Sequence, residues 1–479
     1  MINFSNDPAT QKSLKHSLRD ASAFAVMTGV GETYISAFAV FLRATTPQIG
    51  LLASVPPLLA SLVQLLSAWL GHVSGHRRAI ILAGASLQAF AWLPIIALPL
   101  FFSEYAVPLL IGSVILYHSG AHLALPQWTS LLGDIVPPRK RGRFFSARTQ
   151  RIALTTFVSL LLGGTFLHFM NQNGKTVYGF VALFVVAGLA RIVSIYHLSR
   201  MQDVPRNNAP MALPVGGDWL RRMLHSNALR FSVFVILMQF AVAIASPFFT
   251  VYMLRDLNYT YLQFTVNSGM AIFAQFLTLS QWGRISDVFG NRRILAVTGI
   301  FIPLMPLLWT FSTNFWYLVS IQVLSGFSWA GFSLSASNFL YDLIAPNRRT
   351  SYIAVHNVLV AGGVFCGAIL GGYLGLVLPV NVSLFGQSFS WLSSLYGVFV
   401  ISTLMRGAVA FLLIPRLREV RQVRHISTAD VIFRVTRMNA LAGMFFEIVG
   451  TKSGKDDNDK AAADDASASP PDRNGSPEQ

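Results

Sequence analysis

The sequence predicts an all-α membrane protein with twelve transmembrane helices arranged as two six-helix bundles. Hydrophobic residues make up 53% of its 479 residues and charged residues only 12%, whereas a soluble domain carries roughly 25% charged residues. A dozen apolar runs approach the length of about 20 residues that a helix needs to cross a bilayer. Motifs that follow the second and fourth runs also recur in the second half of the chain.

The apolar runs define the elements in order, with Gly, Pro or polar residues at their boundaries. We expect the first six spans at 21–43, 49–71, 78–101, 107–130, 149–170 and 177–198. We expect the second six at 229–253, 261–283, 293–313, 315–340, 352–378 and 391–414. Polar residues precede the full-length first run, so this run is expected to be retained and not cleaved as a signal peptide.

Composition outside the spans completes the domain organisation. We expect a cytoplasmic N-terminus (1–20), a first bundle (21–198), a cytoplasmic linker (199–228), a second bundle (229–414), a basic amphipathic segment on the membrane surface (415–450) and a disordered cytoplasmic tail (451–479). The linker is rich in Pro and Asn, the surface segment combines an apolar face with Arg434 and Arg437, and the tail is rich in Asp, Ala, Ser and Pro.

The positive charges predict which side each loop faces. With a cytoplasmic N-terminus, 31 of the 36 Lys and Arg residues fall in cytoplasmic segments. Arg43, Lys175 and Arg255 fall in loops on the other side, and Arg191 and Arg406 fall inside spans. Cytoplasmic loops carry such an excess of Lys and Arg. We therefore expect a protein of a bacterial inner membrane with both termini on the cytoplasmic side. The same rule accounts for the net charge of +16 without a nucleic-acid partner.

Several motifs recur at constant spacing between the two halves. Asp134-Ile-Val-Pro-Pro-Arg-Lys-Arg141 aligns without a gap on Asp342-Leu-Ile-Ala-Pro-Asn-Arg-Arg349. Gly75-His-Arg-Arg78 matches Gly290-Asn-Arg-Arg293, and Arg191 falls on Arg406 at the same offset as this second pair. Because six spans separate the copies, the halves have the same orientation and form parallel repeats related by an axis along the membrane normal.

These motifs carry a family resemblance. Residues 283–293, Gly-Arg-Ile-Ser-Asp-Val-Phe-Gly-Asn-Arg-Arg, resemble the loop between helices two and three of a major facilitator half, and residues 138–144 resemble the Arg-Gly-Arg loop after helix four. The first-half copy, 71–78, is two residues shorter and lacks the acid. Over about residues 20–415 the chain resembles bacterial permeases of the major facilitator superfamily without assigned substrate. The resemblance implies the major facilitator fold, transport by alternating access and a cavity lined by helices one, four, seven and ten.

The motif residues are expected to hold the cytoplasmic side shut when the cavity faces outward. The candidates for this cytoplasmic gate are Asp287, Gly283, Gly290, Arg292, Arg293, Asp134, Arg191, Asp342, Arg406, Arg141 and Arg143. An Arg inside a span is costly unless it is paired or reaches the interface, so we predict that Asp134 pairs with Arg191 and Asp342 with Arg406. The alternative is that these charges only set the topology.

Titratable residues inside the spans indicate a proton site. Glu32 lies near the middle of span one, and His118 and His122 lie one helical turn apart near the middle of span four. An imidazole close to a carboxyl that is held away from water can share the proton of that carboxyl. We therefore predict that Glu32, with His118 and His122, couples solute movement to protons. The alternative is that each His only forms hydrogen bonds between helices.

The remaining polar and aromatic residues of the cavity helices are candidates for the substrate wall. They are Tyr34, Gln239, Gln322, Trp329 and Asn338. Such a wall suits an amphipathic solute with little or no charge, although each of these residues could instead serve packing. No Arg or Lys lies at the middle of the four cavity helices, which argues against a dedicated anion site.

Other functional classes are disfavoured. The single cysteine, Cys366, excludes an internal disulfide or a cysteine-based metal cluster. Gly174-Lys175-Thr176 lacks the Gly that a phosphate-binding loop needs at position 169, so transport driven by ATP is not expected. No catalytic triad or nucleophile motif stands out, so no cofactor and no enzymatic activity are expected. We predict a monomeric carrier whose partners are a small organic solute, protons and the lipid bilayer.

Two alternatives to this carrier stay open. The first is a multidrug or metabolite exporter, although the Gly163-Gly164 pair of span five lacks the Pro that such exporters often carry nearby. The second is a relative of the fold that does not transport and serves in assembly or sensing, against which the buried acid Glu32 argues.

Overall fold

Helices make up nearly all of the described chain. The computed structural model describes residues 7–102, 104–137, 140–203, 227–344, 349–384 and 387–419, all within one compact unit, residues 1–424. Most of the expected linker, the expected membrane-surface segment beyond residue 419 and the expected tail lie outside the described residues.

Six long helical segments form the first half, and we number them as spans 1–6. Span 1 consists of Pro8–Val30, the 3₁₀ turn Glu32–Tyr34 and Ile35–Phe41. Spans 2–6 are Thr46–Ser74, Arg77–Phe90 continued by Trp92–Phe101, Ala106–Ile135, Arg141–Gln172 and Thr176–Ser199.

The second half repeats this order as spans 7–12. Span 7 consists of Asn227–Ala243, Phe248–Val251 and the π-helical turn Tyr252–Asp256. Spans 8–12 are Tyr261–Phe289, Asn291–Leu308, Phe315–Leu343, Arg349–Val377 and Leu395–Leu413, which ends in the 3₁₀ turn Ile414–Arg416. The antiparallel strands Asn381–Leu384 and Gln387–Ser390 form a short hairpin between spans 11 and 12. The predicted all-α class with twelve helices is confirmed, apart from this hairpin.

Length and composition allow eleven of these spans to cross a membrane. The twelfth long helix is span 8, which is less apolar because it carries Gln263, Asn267, Gln275 and Gln281. Asn267 is fully buried. Span 8 therefore depends on neighbouring helices to cover its polar side chains.

Span 1 begins well before the predicted residue 21. The Asp7 side chain accepts hydrogen bonds from the backbone N–H groups of Ala9 and Thr10, and Pro8 occupies the first helical position. Both features are typical of helix N-termini. As a result Asp20, expected in a polar terminus, lies inside the helix and is 3% exposed.

Corresponding breaks interrupt the first span of each half. Span 1 leaves the α-helix at Gly31, where an added Cβ would lie 2.5 Å from Trp92 and 2.6 Å from Ala187. Span 7 is interrupted between Ala243 and Phe248. A broken helix inside a membrane protein is tolerated where its freed backbone groups face protein or a cavity, so these breaks mark interior positions.

The two halves contact each other from mid-span to one end of the bundle. We call the end with residues 77, 141, 200 and 292 the basic end, and the other the opposite end. Tyr34 hydrogen bonds Thr265 across the halves, with 3.0 Å between the two oxygens. The rings of Phe157 and Phe273, and of Phe180 and Tyr261, pack with centroids 5.2 and 5.5 Å apart. Spans 2 and 11 meet where Gly50 faces Ala368. All these contacts lie at mid-span or toward the opposite end.

The close approach of spans 2 and 11 generates a stability prediction. In Gly50→Ala, the new Cβ would lie 2.6 Å from the Ala368 carbonyl oxygen, so one helix must shift. We expect the free energy of unfolding to fall by about 1–3 kcal/mol, the usual cost of overpacking. The measurement is SDS-induced unfolding of the purified protein in mixed micelles.

Gly112→Ala is the matched control, because nothing lies within 4 Å of its added Cβ and Ala favours helix more than Gly does. This variant should unfold at the same SDS fraction as the parent or slightly later. Equal stability of the two variants would contradict the close contact between the halves at Gly50.

Candidate functional site

The first half encloses a cavity of about 360 Å³. Spans 1, 3, 4, 5 and 6 supply its walls, and every lining residue belongs to the first half. These residues are Asp20, Phe24, Glu32, Ile81, Gln88, Tyr117, His118, Ala121, His122, Ala124, Leu125, Trp128, Arg148, Arg191 and Leu198. The cavity runs from Glu32 at mid-span toward Asp20, which lies about 18 Å nearer the basic end at about 1.5 Å per helical residue.

Glu32 lies at the break of span 1 and faces this cavity. The hydroxyl of Tyr117 donates a hydrogen bond to its Oε2 at 2.9 Å. His118 and His122 line the same cavity, and His122 Nδ1 lies 3.3 Å from Gln64 Oε1. The break thus places a carboxyl beside two imidazoles, and its hydrogen-bond partner on span 4 is the phenol that precedes His118.

Asp20 and Arg148 form an ion pair in the cavity that sequence reasoning missed. Arg148 Nη2 lies 3.2 Å from Asp20 Oδ2, and the Arg148 guanidinium stacks over the Trp128 ring, 4.2 Å from its centroid. The sequence placed Asp20 in the N-terminal segment and Arg148 in a cytoplasmic loop. Spans 1 and 5 each start earlier than predicted and carry both residues into the bundle. The capping signal at Asp7 and Pro8 could have placed the start of span 1 there, and Asp20 would then have been predicted inside the helix.

Arg191 joins the same group through a serine, so its predicted pairing with Asp134 is wrong. Arg191 Nη1 donates to Ser194 Oγ at 2.8 Å, and Ser194 Oγ donates to Asp20 Oδ1 at 2.6 Å. Asp134 instead forms an ion pair with Arg77, at 2.7 Å. Arg191 lies on span 6 at the side that faces span 1, whereas Asp134 lies at the end of span 4 beside the start of span 3.

The second half has uncharged residues at the positions of this ion pair. His356 falls on Arg148 at the offset that relates Asp342 to Asp134. Its Nδ1 lies 3.0 Å from Ser232 Oγ, and Ser232 in turn lies 2.9 Å from the Tyr352 hydroxyl. Spans 7 and 11 are therefore joined by neutral hydrogen bonds where spans 1 and 5 share an ion pair. The charged cluster belongs to the first half alone.

Arg406 does not pair with Asp342, so this second predicted pair is also wrong. Arg406 Nη2 donates to the Val242 carbonyl at 3.2 Å and Nη1 to the Ile302 carbonyl at 3.3 Å. Val242 lies at the end of the first segment of span 7, where its carbonyl also accepts from the backbone N–H groups of Ala245 and Ser246. A cation at the C-terminal end of a helix is stabilised by such carbonyl groups. Asp342 accepts a hydrogen bond from the Asn291 side chain at 3.2 Å.

The predicted substrate-wall residues lie away from the cavity. The Tyr34 hydroxyl donates a hydrogen bond to the Leu160 carbonyl and forms a second hydrogen bond with the Thr265 hydroxyl of the other half. Gln239, Gln322, Trp329 and Asn338 are partly buried residues of the second half, whereas the cavity lies within the first half. Two cationic side chains nevertheless enter this cavity, Arg148 from span 5 and Arg191 from span 6, which are not among the four helices predicted to line it.

The Gly/Arg loops have the predicted glycine bends, but their contacts differ by one residue between halves. Gly75 and Gly290 have φ of 68° and 82°, which favours glycine. In the first half Arg77 contacts Asp134, and Arg78 donates to the Ser199 carbonyl at the end of span 6. In the second half the structural equivalents are Asn291, which contacts Asp342, and Arg292, which donates to the Pro415 carbonyl after span 12 at 3.2 Å.

The chain that follows span 12 is held at the basic end of its own half. Glu419 accepts a hydrogen bond from the backbone N–H of Arg292 at 2.8 Å, at the start of span 9. Asn227, at the start of span 7, donates to the Arg418 carbonyl at 2.9 Å and accepts from its N–H. Residues 415–419 therefore join the first turns of spans 7 and 9.

The other gate candidates have mostly local roles. Arg141 donates to the Gly133 and Val136 carbonyls and so caps the end of span 4, and Arg143 is exposed. Arg293 makes contacts of its own, and a Cβ on Gly283 would meet only Leu334 at 3.9 Å. The side chain of Asp287 lies outside the described residues, so its predicted role stays a prediction. Among the residues that the structure describes, no group of three or more His, Cys, Asp or Glu side chains is arranged to hold a metal ion.

Comparison with known sequences points to one family. Residues 231–448 match the sequence profile of the Major Facilitator Superfamily. An MFS-type transporter of Aspergillus terreus (strain NIH 2624 / FGSC A1156) is 27% identical over 120 residues, which are 25% of this chain and 21% of that protein. The class B tetracycline resistance protein of Escherichia coli is 32% identical over 108 residues, 22% of this chain and 25% of that protein. The chain thus matches about a quarter of the length of these curated relatives.

Comparison with solved structures covers most of the chain. The nucleoside transporter NupG superposes with a TM-score of 0.62 at 13% identity, over 85% of this chain and 99% of that one. A bacterial homologue of the human lysosomal transporter Spinster, inward-facing and unoccupied, gives 0.61 at 13% identity over 88% and 100%. A bacterial homologue of the iron transporter ferroportin gives 0.59 at 12% identity over 86% and 99%. At this identity the likeness shows the fold.

The buried ion pair generates a second stability prediction. Arg148→Gln leaves Asp20 without its direct ion pair, and Asp20→Asn leaves Arg148 without a carboxylate partner. We expect each single variant to lose about 3 kcal/mol of unfolding free energy, the usual cost of a buried charge without its partner. The double variant should lose less than the sum of the two, and SDS-induced unfolding of all four proteins gives the coupling energy.

Ser232→Ala in the second half is the matched control. It removes the hydrogen bonds of Ser232 to His356 and Tyr352 and should cost no more than about 2 kcal/mol, at about 1 kcal/mol for each bond. Strictly additive losses for Asp20→Asn and Arg148→Gln would contradict the pairing.

Proposed function

We propose that this chain, which has the major facilitator fold and carries the superfamily's sequence profile in its second half, moves a small organic solute across a membrane by alternating access, coupled to protons. The resemblance to this superfamily predicted from the sequence is confirmed. The observation that carries the proposal is Glu32, a carboxyl at a helix break that faces an interior cavity together with two imidazoles.

The arrangement of the contacts between halves supports alternating access. Tyr34, Gly50 and Phe180 join the halves from mid-span toward the opposite end, while the first-half cavity extends from Glu32 toward the basic end. The alternate state would separate the contact between Tyr34 and Thr265 and bring the Gly75 and Gly290 loops together. Glu32 lies at the depth where access would change from one side to the other.

Proton coupling follows from where Glu32 lies. In the state described, Glu32 faces the cavity on the side of the basic end, and its proton would be released there. In the alternate state the same carboxyl would take a proton from the other side. His118 and His122 line the route between Glu32 and the basic end and are suited to relay the proton.

We further propose that both termini face the cytoplasm. The concentration of Lys and Arg at the basic end supports this orientation. A bacterial inner membrane is the proposed location, although the related proteins include fungal ones. Reporter fusions at the loops after residues 43 and 175 would place both loops on the far side of the membrane.

An exporter is the second candidate. The observation that favours it is the local similarity to the tetracycline resistance proteins of Escherichia coli and Pasteurella multocida. Transport assays in right-side-out and inside-out vesicles distinguish the two directions. An exporter that exchanges solute for protons loads inside-out vesicles whose lumen is more acidic than the medium, whereas the proposed importer loads right-side-out vesicles whose medium is the more acidic side. A relative of the fold that does not transport would load neither.

The proposal is tested with proteoliposomes that contain a trapped pH indicator. A panel of organic solutes is added with and without an imposed pH gradient. We expect one class of solute to accumulate only with the gradient and to acidify the lumen as it enters. Solute uptake that neither moves protons nor responds to the gradient would refute the coupling.

Glu32→Gln generates the functional prediction for this site. The amide keeps the size and the hydrogen bond from Tyr117 but cannot exchange a proton. We expect accumulation driven by the pH gradient to fall by about a hundred-fold or to background, in keeping with the loss of an essential proton carrier. Exchange of labelled for unlabelled solute should persist, and its rate should become independent of pH.

Glu104→Gln is the matched control, because Glu104 is an exposed residue at the opposite end. It should leave the rate and the pH dependence unchanged. Accumulation by Glu32→Gln at the parental rate and with the parental pH dependence would eliminate Glu32 as the coupling group.

A further inference from the structure

Two guanidinium groups in the cavity share one carboxylate. Asp20 Oδ2 forms an ion pair with Arg148 Nη2 at 3.2 Å. Its other oxygen, Oδ1, accepts a hydrogen bond from the Ser194 hydroxyl, which in turn accepts one from Arg191. Among the residues that the structure describes, no carboxylate oxygen lies within 4.0 Å of Arg191. One negative charge therefore serves two buried positive charges.

Both guanidinium groups retain hydrogen-bonding capacity inside the cavity. The Nε atoms of Arg148 and Arg191 are buried without a hydrogen-bond partner, and Arg191 is only 4% exposed. The ring of Phe24 lies against Arg191, with 5.4 Å between its centroid and the guanidinium carbon. Buried donors without acceptors are costly, so these positions favour an acceptor from a ligand.

The other acid of the cavity does not balance this charge when it carries a proton. Glu32 accepts its hydrogen bond from the neutral Tyr117. The other titratable or charged groups that share the cavity with it are His118 and His122 from span 4, Arg148 from span 5, Arg191 from span 6 and Asp20 lower in span 1. With Glu32 protonated and both imidazoles neutral, the cavity holds two positive charges and one negative charge.

We propose that the cavity binds an organic monoanion whose carboxylate accepts hydrogen bonds from Arg191 and Arg148. The anion binds when Glu32 carries a proton. This inference rests on the proposed transport function and names its substrate class. Guanidinium groups bind carboxylates through paired, charge-assisted hydrogen bonds. One carboxylate and one proton carry no net charge together, so the translocated pair is electroneutral.

The walls of the cavity set the character of the rest of the solute. Trp128, Phe24, Ile81, Ala121 and Leu198 contribute aromatic and aliphatic surface. The volume of about 360 Å³ lies at the small end of the range of roughly 300–1,000 Å³ for small-molecule pockets. A compact aromatic or branched aliphatic monocarboxylate fits this combination of size, apolar wall and cationic end.

Binding in detergent, without any gradient, tests the substrate class separately from transport. The probes are four monocarboxylates of increasing size (acetate, isovalerate, phenylacetate and indole-3-acetate) and the corresponding four neutral amides. Isothermal titration is performed at one pH below and one above the range in which binding changes. We expect at least one carboxylate to bind about ten-fold or more tightly than its amide, and more tightly at the lower pH.

Variants assign the binding to the named groups. Arg191→Gln should weaken carboxylate binding by about ten-fold or more and leave amide binding unchanged. Arg151→Gln, an exposed position of span 5, is the matched control and should bind like the parent. Glu32→Gln, which imitates the protonated acid, should bind the carboxylate equally well at both pH values, and this arm is informative even if Arg191→Gln fails to fold.

The proposal is overturned if no carboxylate of the series binds better than its amide, or if a folded Arg191→Gln protein binds the carboxylate with parental affinity. In proteoliposomes, carboxylate uptake should not respond to a potassium diffusion potential imposed with valinomycin. Uptake that follows the potential overturns the electroneutral pairing. Transport without carboxylate preference would refute this inference alone, and carboxylate binding without transport would refute the proposed function alone.

Discussion

The carboxylate of Asp20 is the interaction on which the first half depends. It lies inside span 1, where it is nearly inaccessible to solvent, and it receives Arg148 from span 5 and, through Ser194, Arg191 from span 6. Charges that far from water are stable only when they are paired and hydrogen-bonded. The three spans are therefore joined at one point, and the cavity between them acquires its charge from this group.

The two halves use one architecture for different purposes. Span 1 and span 7 break at corresponding places, and spans 5 and 11 cross them at corresponding depths. At the equivalent positions the first half has Asp20 and Arg148, and the second has Ser232 and His356. In the second half, hydrogen bonds between Ser232, His356 and Tyr352 join the equivalent spans. We infer that duplication supplied the frame and that divergence placed this ion pair in the first half.

Most of the fold could be predicted from the sequence because long apolar runs and clustered Lys and Arg are local signals. The candidate site was only partly predictable. Glu32, His118 and His122 are conspicuous as titratable residues inside apolar runs, whereas Asp20 and Arg148 lie where a helix continues past its apolar stretch. Partners such as Arg77 for Asp134, or the Val242 carbonyl for Arg406, depend on which helix ends adjoin. Offsets that align Arg77 with Arg292 in sequence also miss the one-residue shift of their contacts.

Residues 415–419, which join the first turns of spans 7 and 9, offer a position for a label that reports the conformation of the chain. Asn227 and the start of span 9 hold this segment through backbone hydrogen bonds and Glu419. A fluorophore or spin label attached at residue 419 would consequently report the orientation of the second half alone. Paired with a second label near Pro8, it would measure the distance between the two halves, and the distance distribution would test the proposed alternating access without altering the cavity.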